Sequence, residues 1–133
     1  KDIFNARLMV GKIFRVIDRI PPIDAESGKG ITLTDFVPTT EFKNVCFSYP
    51  NKPGAQILKS INLVFEAGKR TALVGESGCG KSTCIQMIER FYDPTSGSIT
   101  LDGKDLRNLN VQWLRKNISL LKEGYIEFVF HLP

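Results

Sequence analysis

Histidine and cysteine, on which zinc sites and disulfide frameworks depend, are scarce in this chain of 133 residues. It contains one histidine and three cysteines, and no two cysteines form a CxxC pair. An odd number of cysteines without such a pair excludes a disulfide framework and gives no zinc motif, so we expect no disulfide partner and a reducing compartment. No apolar run approaches the roughly 20 residues that span a bilayer, and the sequence therefore predicts no transmembrane segment.

The positive charge of the chain is small and scattered. Eighteen lysines and arginines against fourteen acidic residues give a net charge of +4, and the longest basic clusters have two residues, Lys69-Arg70 and Arg115-Lys116. Neither cluster is interleaved with aromatic side chains, which a nucleic-acid stacking surface would require. We expect no nucleic-acid partner. With 42% hydrophobic and 24% charged residues, the composition is that of one ordinary soluble domain.

Two patterns divide the chain near residue 40. In residues 3–20 apolar side chains recur at three- and four-residue intervals, which predicts an amphipathic helix that ends before Pro21-Pro22. Residues 21–40 contain proline, glycine, serine and threonine without any period and are typical of a linker. We therefore expect residues 1–40 to be a helix and a linker that precede a domain.

From residue 41 onward the sequence predicts strands and helices in a particular order. Alternating apolar residues at 45–49 and 61–65 predict two antiparallel strands, and residues 70–74 are typical of a short buried strand. A glycine-rich loop follows, and then a helix over residues 84–92. A further strand closes at a turn formed by Asp102-Gly103, and Asn110 is positioned to cap a last short helix.

The glycine-rich loop has the pattern GxxxxGK[ST], with Gly75, Gly80, Lys81 and Ser82 at its fixed positions. Glycines let the backbone curl so that its N–H groups reach phosphate oxygens, and the following helix adds its positive end. We expect Lys81 to reach the β- and γ-phosphates and Ser82 to coordinate Mg²⁺. The candidate phosphate-binding residues are Gly75, Glu76, Ser77, Gly78, Cys79, Gly80, Lys81, Ser82 and Thr83.

The residues around this loop extend the match to a family. The stretch from EFKNVCFSYP at 41–50 through RFYDPTSGSITLDG at 90–103 to WLRKNI at 113–118 closely resembles the start of an ATP-binding cassette domain of multidrug exporters of the P-glycoprotein type. The resemblance covers about residues 3–118. It implies an α/β fold, namely an incomplete P-loop NTPase (RecA-like) core with an antiparallel β subdomain. It also implies ATP and Mg²⁺ as ligands, and an adenine ring stacked on Tyr49.

The resemblance further implies partners and a location. The N-terminal helix is similar to the segment that follows the last membrane-crossing helix of such an exporter, so residues 41–118 would be the N-terminal part of a nucleotide-binding domain. Its partners would be transmembrane domains and a second nucleotide-binding domain. The domain would then lie on the cytoplasmic face of a membrane, where ATP hydrolysis is coupled to export.

After Ile118 the resemblance ends, and residues 119–133 form a divergent tail. The family continues with a glutamine, a signature motif, a magnesium-binding aspartate, a catalytic glutamate and a switch histidine. Glu123 falls at the glutamine position without gaps and His131 matches nothing, so neither is assigned a role. We expect this chain to bind ATP without hydrolysing it efficiently, and we name no catalytic residue. A gene-model fragment, a retained intron and a short natural product all remain open as its origin.

Two other classes of function remain open at this point. A small nucleotide kinase would also use a phosphate-binding loop, but it would need an arginine-rich lid for its acceptor, and none follows the helix. The loop could also be a relic in a non-enzymatic interaction module. Transfer to an acceptor would indicate the kinase, whereas purine nucleotide binding without transfer favours the cassette.

Overall fold

The computed structural model describes residues 2–123 and 125–130. Regular elements follow the order helix, two strands, helix, two strands, two short helices and two strands. Their bounds are α1 Asp2–Ile17, β1 Thr40–Ser48, β2 Gln56–Phe65, α2 Lys81–Ile88, β3 Ser96–Leu101, β4 Lys104–Asp105, a 3₁₀ helix Leu106–Asn108, α3 Val111–Lys116, β5 Ile118–Glu123 and β6 Tyr125–Phe130.

A four-stranded antiparallel sheet in the order β2-β1-β3-β4 forms the centre of the fold. Phe42 of β1 lies opposite Leu63 of β2 on one side and Ile99 of β3 on the other. The β3–β4 hairpin turns at Asp102 and Gly103, both with positive φ. The two predicted antiparallel strands, the later strand and its turn are thereby confirmed.

The core joins this sheet to α2 and α3. Apolar side chains from β1, β2 and β3 pack in one cluster with residues of α2 and α3. Fully buried members include Phe42, Leu58, Met87, Ile88, Leu101 and Leu114. Asn110 caps α3 as predicted, because its side-chain oxygen accepts a hydrogen bond from the Trp113 N–H at 2.8 Å. The two helices α2 and α3 therefore share one core with the sheet.

The predicted linker has no regular element between α1 and β1, but its second half is packed. Phe36 is buried and contacts Trp113 edge to face, with 5.2 Å between the ring centroids. Ile31 forms a parallel bridge with Leu109. By contrast, α1 exposes apolar side chains such as Met9, Val16 and Ile17. No helix among the described residues is both long and apolar enough to cross a membrane.

The strand predicted at residues 70–74 is wrong. This segment has no regular structure, and Val74 is 91% exposed. An isolated extended segment has to pair its backbone groups with a neighbouring strand, and none of the strands among residues 2–123 and 125–130 pairs with it. The helix predicted over 84–92 begins earlier and ends at Ile88, since Arg90 adopts a positive φ of 55° that no α-helix continues through.

The C-terminal strands β5 and β6 form a two-stranded antiparallel hairpin. Ile118 of β5 lies opposite Phe130 of β6, and Glu123 lies opposite Tyr125. Glu123 therefore ends a strand. His131 lies outside the described residues.

Candidate phosphate-binding site

The glycine loop enters α2 through a backbone conformation that its sequence requires. Gly78 and Gly80 have φ values of 85° and 97°, in the left-handed region that favours glycine. Gly80 is the N-cap residue of α2 and is buried. A Cβ at Gly80 would lie 2.6 Å from Leu58 Cδ2, which real carbon atoms do not tolerate. Glycine at this position therefore lets the N-terminus of α2 pack directly against β2.

Lys81 lies inside the curl of the loop. Its Nζ donates hydrogen bonds to the carbonyl oxygens of Gly75 at 2.9 Å and Glu76 at 2.7 Å, and lies 3.5 Å from Cys79 Sγ. The Cys79 N–H in turn donates to the Glu76 carbonyl at 3.3 Å and closes the turn. The ammonium group of Lys81 is thus held against the backbone carbonyls at the start of the loop.

The first turn of α2 presents further donors beside that ammonium group. The first helical N–H groups have no partner within a helix, and here the earliest hydrogen bond of this kind is from Cys84 to Gly80. Ser82 is exposed, so its hydroxyl is accessible for a ligand, whereas Thr83 is buried. The chemistry of this set, which combines backbone donors, one ammonium and one free hydroxyl, fits a polyphosphate with its magnesium ion.

Tyr49 follows β1 directly and lies against α2. Its hydroxyl donates to Gln86 Oε1 at 3.1 Å and is 3.0 Å from the Thr83 hydroxyl oxygen. A phenol has one hydrogen, so Thr83 is the donor in the second bond. The sequence prediction placed Thr83 on the phosphate chain. In the structure the Thr83 hydroxyl is hydrogen-bonded to Tyr49. The backbone N–H of Thr83 is therefore the group that remains for a phosphate.

An aromatic cluster surrounds Tyr49. Phe47 and Tyr92 contact its ring edge to face at centroid distances of 5.0 and 5.3 Å. An open depression of about 490 Å³ adjoins this cluster and is lined by Tyr49, Pro50, Asn51, Lys52 and Tyr92. Sequence reasoning identified Tyr49 but missed Gln86 and Tyr92. The three-residue spacing of Thr83 and Gln86 places both on one face of α2, which is the signal that could have identified Gln86.

Two titratable groups, one on α2 and one directly after it, have pKa values that burial shifts. Burial raises the pKa of the Cys84 thiol, and the neighbouring Cys79 adds to the rise, so Cys84 remains a neutral packing residue. Burial also raises the pKa of the Glu89 carboxyl, while Arg115 acts in the opposite direction.

Among the side chains that the structure describes, no group of three or more histidines, cysteines, aspartates and glutamates could hold a metal ion.

Comparison with known proteins gives a consistent result. A family model described as ABC transporter matches residues 58–131. The chain is 44% identical to P-glycoprotein 14 of Caenorhabditis elegans over 126 residues and 48% identical to ABC transporter B family member 1 of Arabidopsis thaliana over 119 residues, covering 95% and 90% of its own length. It spans only 10% and 9% of those relatives.

A solved structure of a bacterial Atm1-family ABC exporter with ATP bound is also similar. The two share 32% sequence identity at a TM-score of 0.74, and the match covers 86% of this chain and 20% of that one. The described sheet and helices therefore have the arrangement found in one part of an exporter.

Proposed function

Because this chain belongs to the ABC transporter family, we propose that it is the N-terminal part of a nucleotide-binding domain that binds ATP with Mg²⁺ as part of a membrane exporter. The single observation that supports this most strongly is the position of Lys81, whose ammonium group donates hydrogen bonds to the loop carbonyls of Gly75 and Glu76. Such a loop presents its N–H groups and one mobile positive charge to a ligand, which is the chemistry that a triphosphate requires.

Each predicted residue has a part in this proposal. The loop residues are Gly75, Glu76, Ser77, Gly78, Cys79 and Gly80, and they supply backbone donors. Lys81 supplies the charge on the terminal phosphates, Ser82 supplies the hydroxyl for Mg²⁺, and Thr83 supplies its N–H. Tyr49 supplies a flat aromatic face for the adenine ring. Magnesium, when bound, would neutralise phosphate charge.

The proposed partners are the transmembrane domains and the second nucleotide-binding domain of a parent exporter, at the cytoplasmic face of its membrane. Relatives named as P-glycoprotein and multidrug transporter support this assignment. In this proposal the sheet and α2 hold the nucleotide, and hydrolysis requires groups that this sequence does not contain. In such an exporter the membrane-spanning segments select the transported substrate, and the phosphate-binding loop does not.

Calorimetric titration of the chain with Mg²⁺-ATP tests the proposal. We expect Lys81→Ala to weaken binding about 10- to 100-fold, since a charge-assisted hydrogen bond is worth about 1.5–3 kcal/mol. Lys59→Ala removes the same charge from an exposed position on β2 and should leave affinity unchanged. Equal affinities for the wild type and Lys81→Ala would contradict the proposal.

In the same sample, phosphate release should stay far below the ~1 per second of ordinary enzymes.

A second titration tests the role of Tyr49. Loss of base stacking costs about 1–3 kcal/mol, so Tyr49→Ala should weaken ATP binding about 10-fold. Tripolyphosphate contains no base, and its affinity should remain that of the wild type. Equal weakening of both ligands would show that Tyr49 supports the loop rather than the adenine ring.

A further inference from the structure

Part of the segment before β1 is joined to the corner between the 3₁₀ helix and α3. The Ile31 N–H donates to the Asn108 carbonyl at 2.8 Å, and the Asn110 N–H donates to the Ile31 carbonyl at 2.9 Å. This backbone pairing places Ile31 beside Leu109, between Asn108 and Asn110 of the corner. The residues 27–31 that carry it are called the docked segment below.

Asn110 has two functions at this corner, one for each end of its amide. Its Oδ1 accepts the Trp113 N–H and caps α3. Its Nδ2 donates to the Lys29 carbonyl at 2.9 Å and to the Ser27 carbonyl at 3.3 Å. Asn110 is 7% exposed, so these bonds are partly buried. The asparagine amide has an oxygen that accepts the cap hydrogen bond and an uncharged NH₂ group that donates to two carbonyls. No other side chain this short contains both groups.

Gly30 provides an independent observation of close docking. It has a positive φ of 104°, and a Cβ there would lie 2.6 Å from the Asn110 nitrogen and 2.7 Å from the Leu109 carbonyl carbon. The two backbones therefore touch where no side chain fits. Gly28, two residues earlier, has open space around its Cβ position.

The same corner is connected to the end of α2. Arg90 Nη1 donates to the Leu109 carbonyl at 3.1 Å. From α3, Arg115 donates through Nε to the Glu89 carbonyl and through Nη2 to the Arg90 carbonyl, both at 3.0 Å. Its guanidinium also lies 4.5 Å from the centre of the Phe91 ring. These bonds satisfy carbonyl groups at the C-terminus of the helix that follows the phosphate-binding loop.

From these contacts we propose that Asn110 is a positioning residue that fixes the docked segment to the corner before α3, and that Arg115 extends this connection to α2. The chain between α1 and the domain is then free only up to about residue 26. Residues 18–26 then form the tether to α1, and a displacement that reaches residue 27 is passed to the helix of the phosphate-binding loop through backbone hydrogen bonds, Arg90 and Arg115.

Hydrogen exchange of individual amides, measured by NMR, tests the anchor. Asn110→Asp keeps an oxygen for the cap but places a carboxylate oxygen against the Ser27 and Lys29 carbonyls. We expect the Ile31 amide to exchange at least 10-fold faster, while the Trp113 amide is unchanged. In Asn110→Ala both amides should exchange faster. An unchanged Ile31 amide in Asn110→Asp would overturn the proposal, as would an unprotected Ile31 amide in the wild type.

A backbone variant tests the same anchor without altering Asn110. Gly30→Ala forces the two backbones apart, so the Ile31 amide should again exchange faster while Trp113 keeps its cap. Gly28→Ala is the matched control and should change neither amide. Equal effects of the two alanine variants would contradict the close docking at Gly30.

The extension to α2 rests on the proposed function and has its own readout. Saturating Mg²⁺-ATP should slow exchange in residues 77–84 and also at Ile31. In Arg115→Gln the effect on residues 77–84 should persist and the effect at Ile31 should be smaller than in the wild type, because only Arg90 still links α2 to Leu109. An undiminished effect at Ile31 would overturn the role of Arg115. If ATP slows exchange at neither place in the wild type, the proposed function fails, but the Asn110 and Gly30 comparisons still decide the anchor.

Discussion

Two glycines of the phosphate-binding loop differ in what surrounds them. Both Gly78 and Gly80 adopt positive φ, so each would strain an L-residue. Only Gly80 also lies against the sheet, where a Cβ would meet Leu58 Cδ2 at 2.6 Å and Ile57 Cγ2 at 3.3 Å. Gly78 has open space. Gly80 is therefore required by the loop conformation and by packing together, whereas Gly78 is required by conformation alone.

This difference predicts the relative stability of two alanine variants. Gly78→Ala should lower the free energy of unfolding by about 1–2 kcal/mol, the cost of a left-handed alanine. Gly80→Ala should cost about 1–3 kcal/mol more, because the added methyl overpacks the contact between α2 and β2. Urea unfolding followed by circular dichroism measures both. Equal losses would show that the N-terminus of α2 does not pack on Leu58.

Among the elements, the 3₁₀ helix depends on one ion pair. The Asp105 carboxylate accepts the Arg107 N–H at 2.8 Å and also binds the guanidinium through Nε at 3.0 Å and Nη2 at 2.6 Å. The Arg107 side chain therefore lowers the pKa of Asp105 below its ordinary value of 3.8. This element holds the corner at residues 108–110, on which the docked segment lies.

The lowered pKa of Asp105 gives a pH prediction with a defined sign. A carboxyl with a depressed folded-state pKa contributes stability above its unfolded value and loses it as the pH falls through the folded value. Stability should therefore fall below about pH 4. Asp105→Asn keeps the cap oxygen without the charge, so it should be less stable at pH 7 by about 0.2–1 kcal/mol, as for a partly exposed pair. Denaturant midpoints of both chains should converge in acid. A constant difference across pH would contradict this role.

Across the whole molecule, the features predictable from sequence are those that depend on near neighbours. The alternation in β1 and β2, the Asp102-Gly103 turn and the Asn110 cap each require only local residues, and the structure confirms them. The strand predicted at 70–74 is absent because a strand forms only where a neighbouring strand pairs its backbone groups.

Contacts between residues far apart in the sequence could not be predicted, because no local pattern encodes them. Residues 21–40 have no period, and nothing in their sequence indicates that Gly30 touches Asn110 or that Phe36 is buried. In the candidate site, the loop motif identified the curl around Lys81, because its glycine spacing encodes a backbone shape. The bond between Tyr49 and Gln86 depends on how β1 and α2 meet, which the motif does not encode.

The segment at residues 71–74 leads to a prediction about association of the whole chain. Val74 is 91% exposed, and an apolar segment that pairs with none of the described strands offers its backbone to a second chain. We expect reversible self-association that grows with concentration in sedimentation velocity experiments. Val74→Lys should shift the chain towards monomer, because a charge on such a segment opposes pairing. Val37→Lys alters a 55% exposed valine elsewhere and is the matched control. A monomeric wild type, or equal shifts in both variants, would show that residues 71–74 do not mediate association.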